Sequence, residues 1–154
     1  MFENMRRADR ELGREEALAI LEKAEYGVLS TLGEDGYPYG IPVSHVVVDG
    51  RLCFHCAVEG KKLQNLRHHS KVSFVAVGHT QVMPESFGTK FESAMVFGSA
   101  REAAPEDKQK ILEALISKYS PGFEKGGMKY IAASGERTQV WEIIVEHLSG
   151  KAKR

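Results

Sequence analysis

Between Tyr37 and Lys62 the sequence reads YPYGIPVSHVVVDGRLCFHCAVEGKK, which places a serine, a histidine and two adjacent lysines around one hairpin. Gly60-Lys61-Lys62 stands where the helical-looking stretch LQNLRHH begins. A helix start offers free backbone N–H groups, and with two ammonium groups beside them it suits an anion such as a phosphate. The tripeptide alone is weak, since lysines at a helix start are usually solvated and GxxxxGK[ST], the Walker A pattern, is absent. Its weight comes from what precedes it. Asp49-Gly50 between β-rich runs is a hairpin signal, because both residues tolerate positive φ. A two-residue loop there pairs Val48 with Arg51, Val46 with Cys53 and Ser44 with His55. Strand alternation then predicts a ligand face of Ser44, Val46, Cys53 and His55, and a core face of Val43, His45, Val47, Leu52, Phe54 and Cys56. Opposite a hydroxyl and just before the phosphate turn, His55 suits hydrogen bonding to a ligand or proton donation near neutral pH. A structural hydrogen bond is nearly as well supported. Pro42 cannot donate to a ladder, so a bulge is expected there that frees backbone groups for a ligand.

Other reactive side chains fit bland roles better. Cys53-Phe54-His55-Cys56 looks like a CxxC motif, but strand residues three apart point to opposite faces, so the thiols should not meet. Thioredoxin-like chemistry also relies on a helix N-terminus, which this strand lacks. His68, His69 and His79 have no recognisable zinc spacing with the cysteines, and no metal site is expected. His45, among apolar neighbours, reads as a core histidine. Phe91, Phe97 and Trp141 read as packing units of strands.

The elements that must position these residues follow from periodicity. Arg14 to Glu25 carries Ala17, Leu18, Leu21 and Ala24 at helical spacing and should end near Gly27. Strands are expected over Val28–Gly33, Pro38–Val48 and Arg51–Ala57, forming a meander, followed by a short helix over Leu63–His69. Lys71–Val77 and Phe91–Ala103 read as strands joined by a loop over Gly78–Lys90. Pro105, Glu106 and Asp107 open a helix whose stripe is Ile111, Leu112, Leu115, Ile116 and Tyr119, stopped by Pro121-Gly122. After the loosening pair Gly126-Gly127, Met128–Ser134 predicts a short helix and Thr138–Leu148 a last strand with a polar tail. Many strands joined by short turns suit an antiparallel β-barrel decorated with helices, a mainly β, α+β class.

With 154 residues and no internal repeat or linker, residues 1–154 are expected to form a single domain. The 21 basic and 21 acidic residues balance, which argues against nucleic acid or an anionic membrane as partner. No apolar run is long enough for a membrane span, and no signal core follows the N-terminal basic residues, so a cytoplasmic location is expected. Two cysteines make no disulfide framework, in keeping with a reducing compartment.

RRADREL, then YGVLSTLGEDGYPYGIPVSHVVVDGRLCFHCAVEGKK, then FESAMVFGSA and the closing VWEIIVEHLSGKAKR together resemble the nitroimidazole-resistance branch of the pyridoxamine-phosphate-oxidase-like proteins, over almost the whole chain. Ala8 departs from the basic residue of the usual RRKDRE-like pattern. The resemblance implies an antiparallel FMN-binding split β-barrel with peripheral helices, usually a homodimer with two flavin sites at the subunit interface. It places the flavin ring along Pro42-Val43-Ser44, with His55 and Ala57 nearby, Gly60-Lys61-Lys62 at the FMN phosphate, and Ser93 completing the pocket from the partner subunit. The expected activity is an FMN-dependent oxidoreductase passing electrons from a small-molecule donor, a reduced nicotinamide, to a small acceptor such as a nitroaromatic, with His55 as the catalytic residue. Two alternatives stay open: a non-enzymatic module that stores or senses FMN, and a related barrel using deazaflavin or haem.

Overall fold

A computed structural model describes Met1–Arg154. Its strands are β1 (Glu11–Leu12), β2 (Gly27–Leu32), β3 (Pro38–Val43), β4 (His45–Val48), β5 (Arg51–Ala57), β6 (Lys71–Met83), β7 (Gly88–Glu102) and β8 (Thr138–Lys153). Its helices are α1 (Arg14–Lys23), α2 (Lys61–His68), α3 (Pro105–Tyr119) and α4 (Glu124–Ser134). All strand pairs are antiparallel, in the order β3-β2-β6-β7-β8-β5-β4, with β1 added against β8.

That order forces the sheet to curl. β3 and β4 are its two edges, which in a flat seven-strand sheet would lie about 29 Å apart at the usual strand spacing. Yet Ser44 alone joins Val43 of β3 to His45 of β4, and one residue spans at most about 3.6 Å. The edges therefore meet at Ser44, and the sheet is a barrel split along that seam. Inside it lie Leu29, Val43, Leu52, Phe54, Phe74, Val96, Trp141 and Ile143. α1 touches β4, β6, β7 and β8 and adds Ala17, Ile20, Leu21 and Ala24 to the same core, so it lies across one mouth of the barrel. α2 contributes Leu63 and Leu66. A second core forms outside the barrel, where Val46, Cys53 and Val140 meet Ile111, Leu112 and Leu115 of α3 and Ile131 of α4.

Local chemistry accounts for the element ends. α1 has Glu15 and Glu16 in its first turn and Lys23 in its last, each sign favoured by the helix dipole. Pro105 opens α3, followed by Glu106 and Asp107. Asp49 and Gly50 both take positive φ, 50° and 76°, as a type I′ hairpin requires.

Several expectations need correction. The strand expected over Pro38–Val48 breaks at Ser44, because the chain there changes from one edge of the sheet to the other. Pro42 makes no bulge and pairs in register with Val28. The loop expected over Gly78–Lys90 is mostly sheet: β6 and β7 run on as a hairpin arm to a single turn at Pro84–Ser86, and the register shift between Val77 and Thr80 disguised the alternation. α4 starts at Glu124 and contains both glycines; a Cβ on Gly127 would stand 2.4 Å from Ile116 Cγ2, so this glycine lets α4 approach α3. The polar tail belongs to β8, where Gly150, Lys151, Ala152 and Lys153 pair with β7. Alternating exposure keeps such a strand polar on one side.

Candidate functional site

α2 begins directly after β5 because Gly60 takes φ 138°, a conformation that side chains disfavour, and turns the chain into the helix. Gly60 has no side chain with which to cap α2, and the first ladder bond within the helix start is Gln64 N–H to the Gly60 carbonyl. The N–H groups of Lys61, Lys62 and Leu63 thus lack the intrahelical acceptors that only later residues find. Both lysines stand at the same turn. Lys61 Nζ is 3.5 Å from Asp35 Oδ2, an ion pair with both side chains about half exposed. Lys62 lays its chain along the barrel end, its Nζ 5.6 Å from the centre of the Phe54 ring. α2 itself is pinned to β2 by Asn65, which is buried and donates to Thr31 Oγ1 at 3.0 Å.

His55 neighbours Phe54 on β5, but on the outer side of the sheet. It lines a pocket of about 100 Å³ with Leu112, Leu115 and Ile116 of α3, Tyr130 and Ile131 of α4, and Thr138. Partial burial against this apolar wall, and then the charge of Lys62, lower the His55 pKa below its usual 6.5. The ring is therefore neutral at pH 7, able to donate from one nitrogen and accept at the other.

Ser44 occupies the seam. It belongs to no strand, is exposed, and makes no backbone–backbone hydrogen bond. The predicted ladder pair of Ser44 with His55 does not form: pairing ends at His45 with Phe54. The predicted ligand face is also narrower than expected, since Val46 and Cys53 are buried beneath α3 and α4. What remains open are its ends, Ser44 and His55. Pro42, Ala57, Gly60 and Lys61 are exposed too, whereas Val43 points into the core.

Ser93 lies elsewhere in the chain. It pairs with Lys151 on β8, whereas Ala57, just before the lysine turn, pairs with Thr138. Those β8 positions are 151 − 138 = 13 residues apart, roughly 43 Å of strand contour. Ser93 instead lines an outer groove with Val75, Met95, Phe97, His147 and Lys151.

The remaining candidates resolve as structural. His45 is fully buried, with Nε2 2.6 Å from the Leu21 carbonyl and its ring edge-on to Phe74. A carbonyl only accepts, so Nε2 carries the proton and Nδ1 is left without a partner. Burial pushes its pKa down to about 4. Cys53 and Cys56 fall on opposite sides of β5, one in each core, and burial raises both thiols, Cys53 to about 12. Neither is a reactive thiolate.

One functional neighbour escaped sequence reasoning. The backbone N–H of His45 donates to Tyr119 Oη at 2.9 Å, and Lys118 Nζ donates to the His45 carbonyl at 2.8 Å. The end of α3 thus satisfies the backbone just past the seam and leaves that of Ser44 free. In the sequence Tyr119 is one more member of the apolar stripe, and nothing there signals that its hydroxyl reaches residue 45.

Comparison with known proteins agrees with this architecture. The family model described as pyridoxamine 5'-phosphate oxidase matches residues 13–152. A putative 5-nitroimidazole antibiotic resistance protein from Bacteroides thetaiotaomicron is similar in fold, with TM-score 0.75 and 18% identity over 92% of this chain and 86% of that one. An FAD-binding protein from Mesorhizobium loti gives TM-score 0.71 and 25% identity over 94% and 98% of the two chains. An FAD and heme binding protein from Mycobacterium smegmatis gives TM-score 0.78 and 18% identity over 94% and 74%. No curated protein matches the sequence. No helix is long and apolar enough to cross a membrane.

Proposed function

The chain belongs to the pyridoxamine 5'-phosphate oxidase family, matched over residues 13–152, and on that footing we propose that it is an FMN-dependent oxidoreductase. Its donor is a reduced nicotinamide and its acceptor a small molecule of the nitroaromatic class. The observation that carries the reading is the uncapped start of α2, where the backbone N–H groups of Lys61, Lys62 and Leu63 lack intrahelical acceptors and two lysines open the helix. A phosphate monoester fits this set: it offers several acceptor oxygens and about two negative charges. FAD-binding proteins among the structural neighbours favour a flavin as the bearer of that phosphate, and FMN, with its single terminal phosphate, is the flavin proposed.

Lys61, Lys62 and the α2 amides hold the phosphate. The open backbone of Ser44, with Pro42 and Val43 before it, orients the ring, and Ala57 lies at the end of the strand between ring and phosphate. Bound FMN supplies the redox chemistry, taking up electrons from the donor and passing them on. Neutral His55 positions the acceptor and relays a proton to it, while the apolar side chains of α3 and α4 keep water from its inner side. Ser93 lies far along β8 from the lysines of its own chain; as a member of this site it would come from a second copy, in a homodimer with the flavin at the interface.

The purified protein should be yellow or should bind added FMN stoichiometrically in a fluorescence titration. Anaerobic mixing with NADH or NADPH should then bleach the flavin, and a nitroaromatic should restore its colour over repeated turnovers. A protein that binds no FMN refutes the proposal; binding without electron transfer reduces it to a flavin-holding module.

A further inference from the structure

α3 and α4 do not seat flush on the outer face of the sheet. Between them and β5 lies the cavity of about 100 Å³ at His55, and its walls differ from its rim. The walls are Leu112, Leu115 and Ile131, all nearly buried and part of the second core. The half-buried hydroxyls of the lining are already engaged within the chain: Ser134 Oγ donates to the Tyr130 carbonyl at 2.7 Å, and Thr138 Oγ1 to the Ser134 carbonyl at 3.0 Å. No lining residue is an aspartate, glutamate, lysine or arginine, so a charged ligand would enter without a counter-charge. Only two lining side chains are exposed and form the rim, His55, neutral at pH 7, and Tyr130. Lys108 Nζ donates to the Gly135 carbonyl at 2.7 Å and ties the end of α4 to α3, which fixes the walls before a ligand arrives.

We infer that this cavity is the ring pocket for the electron acceptor: it takes a neutral molecule with one aromatic ring, polar group outward toward His55, and Tyr130 on the rim rejects a second fused ring. The inference rests on the proposed function and narrows its acceptor class. Size sets the first limit. An apolar cavity of about 150 Å³ holds a benzene ring, so a cavity of about 100 Å³ takes a single ring with its substituent left at the mouth. Polarity sets the orientation. A nitro or carbonyl oxygen driven inward among the leucines would lose its hydrogen bonds to water, whereas outward it accepts from the His55 N–H. Tyr130 sets the upper bound. Its ring borders the cavity while 70% of the residue meets water, and it belongs to neither core, so truncating it widens the mouth and leaves the fold intact.

The test follows the His55 imidazole resonances by NMR, assigned by their loss in His55→Gln, while nitrobenzene or 1-nitronaphthalene is added to the wild type, Tyr130→Ala and Tyr130→Phe. Nitrobenzene should shift the His55 signals saturably in all three. 1-Nitronaphthalene should bind the wild type at least about tenfold more weakly than nitrobenzene, the scale of forcing extra atoms into a packed site, and Tyr130→Ala should bring the two within about twofold. Tyr130→Phe keeps the ring and should behave as the wild type. A Tyr130 with only a structural part would change the melting temperature and leave the ratio of the two ligands alone. Nitrobenzene that leaves His55 unmoved overturns the pocket, and an unchanged ratio in Tyr130→Ala overturns the rim. FMN titration and turnover with NADH and the same two acceptors separate this inference from the proposed function. FMN-dependent turnover with no size preference sinks the ring pocket alone. A protein that takes no FMN sinks the oxidoreductase and with it the acceptor's part.

Discussion

Replacing Lys61 and Lys62 together by alanine tests the phosphate end of the proposed site, because riboflavin has the ring of FMN without the phosphate. Lys61 spends its charge on an exposed pair with Asp35 at 3.5 Å, a contact that contributes little in water and yields readily to a phosphate. Asp35 is held below the usual carboxylate range, first by the Tyr37 N–H and then by Lys61, so it stays anionic. Without Lys61 it repels the phosphate. Lys62 is the more confined of the two, its Nζ held 5.6 Å from the Phe54 ring. Hydrogen bonds to charged groups are worth about 1.5–3 kcal/mol each, and an exposed lysine belongs at the low end. The two together should supply about 3 kcal/mol, which is roughly a hundredfold in the FMN dissociation constant. Riboflavin should lose less than about twofold, since neither ammonium faces an anion in that complex. Raising salt from about 0.05 to 0.5 M should weaken FMN, and not riboflavin, in the wild type. The assay is flavin fluorescence quenching, with circular dichroism melts as a check on folding. Equal losses for both ligands, or FMN binding that ignores both the substitution and the salt, would refute the assignment of the α2 start as a phosphate site.

Two further outcomes follow from buried polar residues. His45 has its folded pKa lowered from 6.5 to about 4, so the native state resists a proton that the unfolded chain accepts. Its contribution to stability is complete above pH 6.5 and is lost as pH falls toward 4, by about 3 kcal/mol at 1.36 kcal/mol per pH unit. Denaturant unfolding at pH 7.5 and 4.5 should show that loss beyond the loss shown by His45→Gln, which keeps an amide donor but does not titrate; parallel pH profiles would disprove it. Asn65→Ala removes the 3.0 Å bond from α2 to Thr31 and should cost about 1–2 kcal/mol. It should also weaken FMN by several-fold through a loosened α2, and an unchanged FMN affinity in the destabilised variant would show that the helix start is held in some other way.

The sequence reveals most about this molecule where one element is enough to fix the answer. Asp49-Gly50 sets the register of β4 on β5 by itself, and the opposed environments of Cys53 and Cys56 follow from alternation alone. Pro105 with the acidic pair after it marks α3 to the residue. It reveals least where a second element decides. The β6–β7 arm hides because a register shift between Val77 and Thr80 interrupts its alternation. The end of β8 hides because Lys151 and Lys153 lie among small residues that look like a tail. That Val46 and Cys53 lie beneath helices is invisible in the hairpin, since apolar residues on both faces of a strand do not say what covers each.

Ser44 shows how such a gap bears on function. Counting from the hairpin turn gives it a partner in His55, and nothing between residues 44 and 55 contradicts that count. The contradiction comes from β2, which pairs with β3 as far as Val43 opposite Gly27 and so claims the chain for the other edge of the sheet. A strand shared between two edges must leave one ladder before it joins the next, and the residue at the change has no neighbour on either side. The sequence assigned this loss of pairing to Pro42, which lacks an N–H. Topology assigns it to Ser44, which has both an N–H and a carbonyl to offer, while Tyr119 and Lys118 satisfy the adjoining backbone of His45. Any closed sheet whose edges are joined by one residue must leave such a gap. Here the gap stands one residue before His45, whose partner Phe54 precedes His55 on β5.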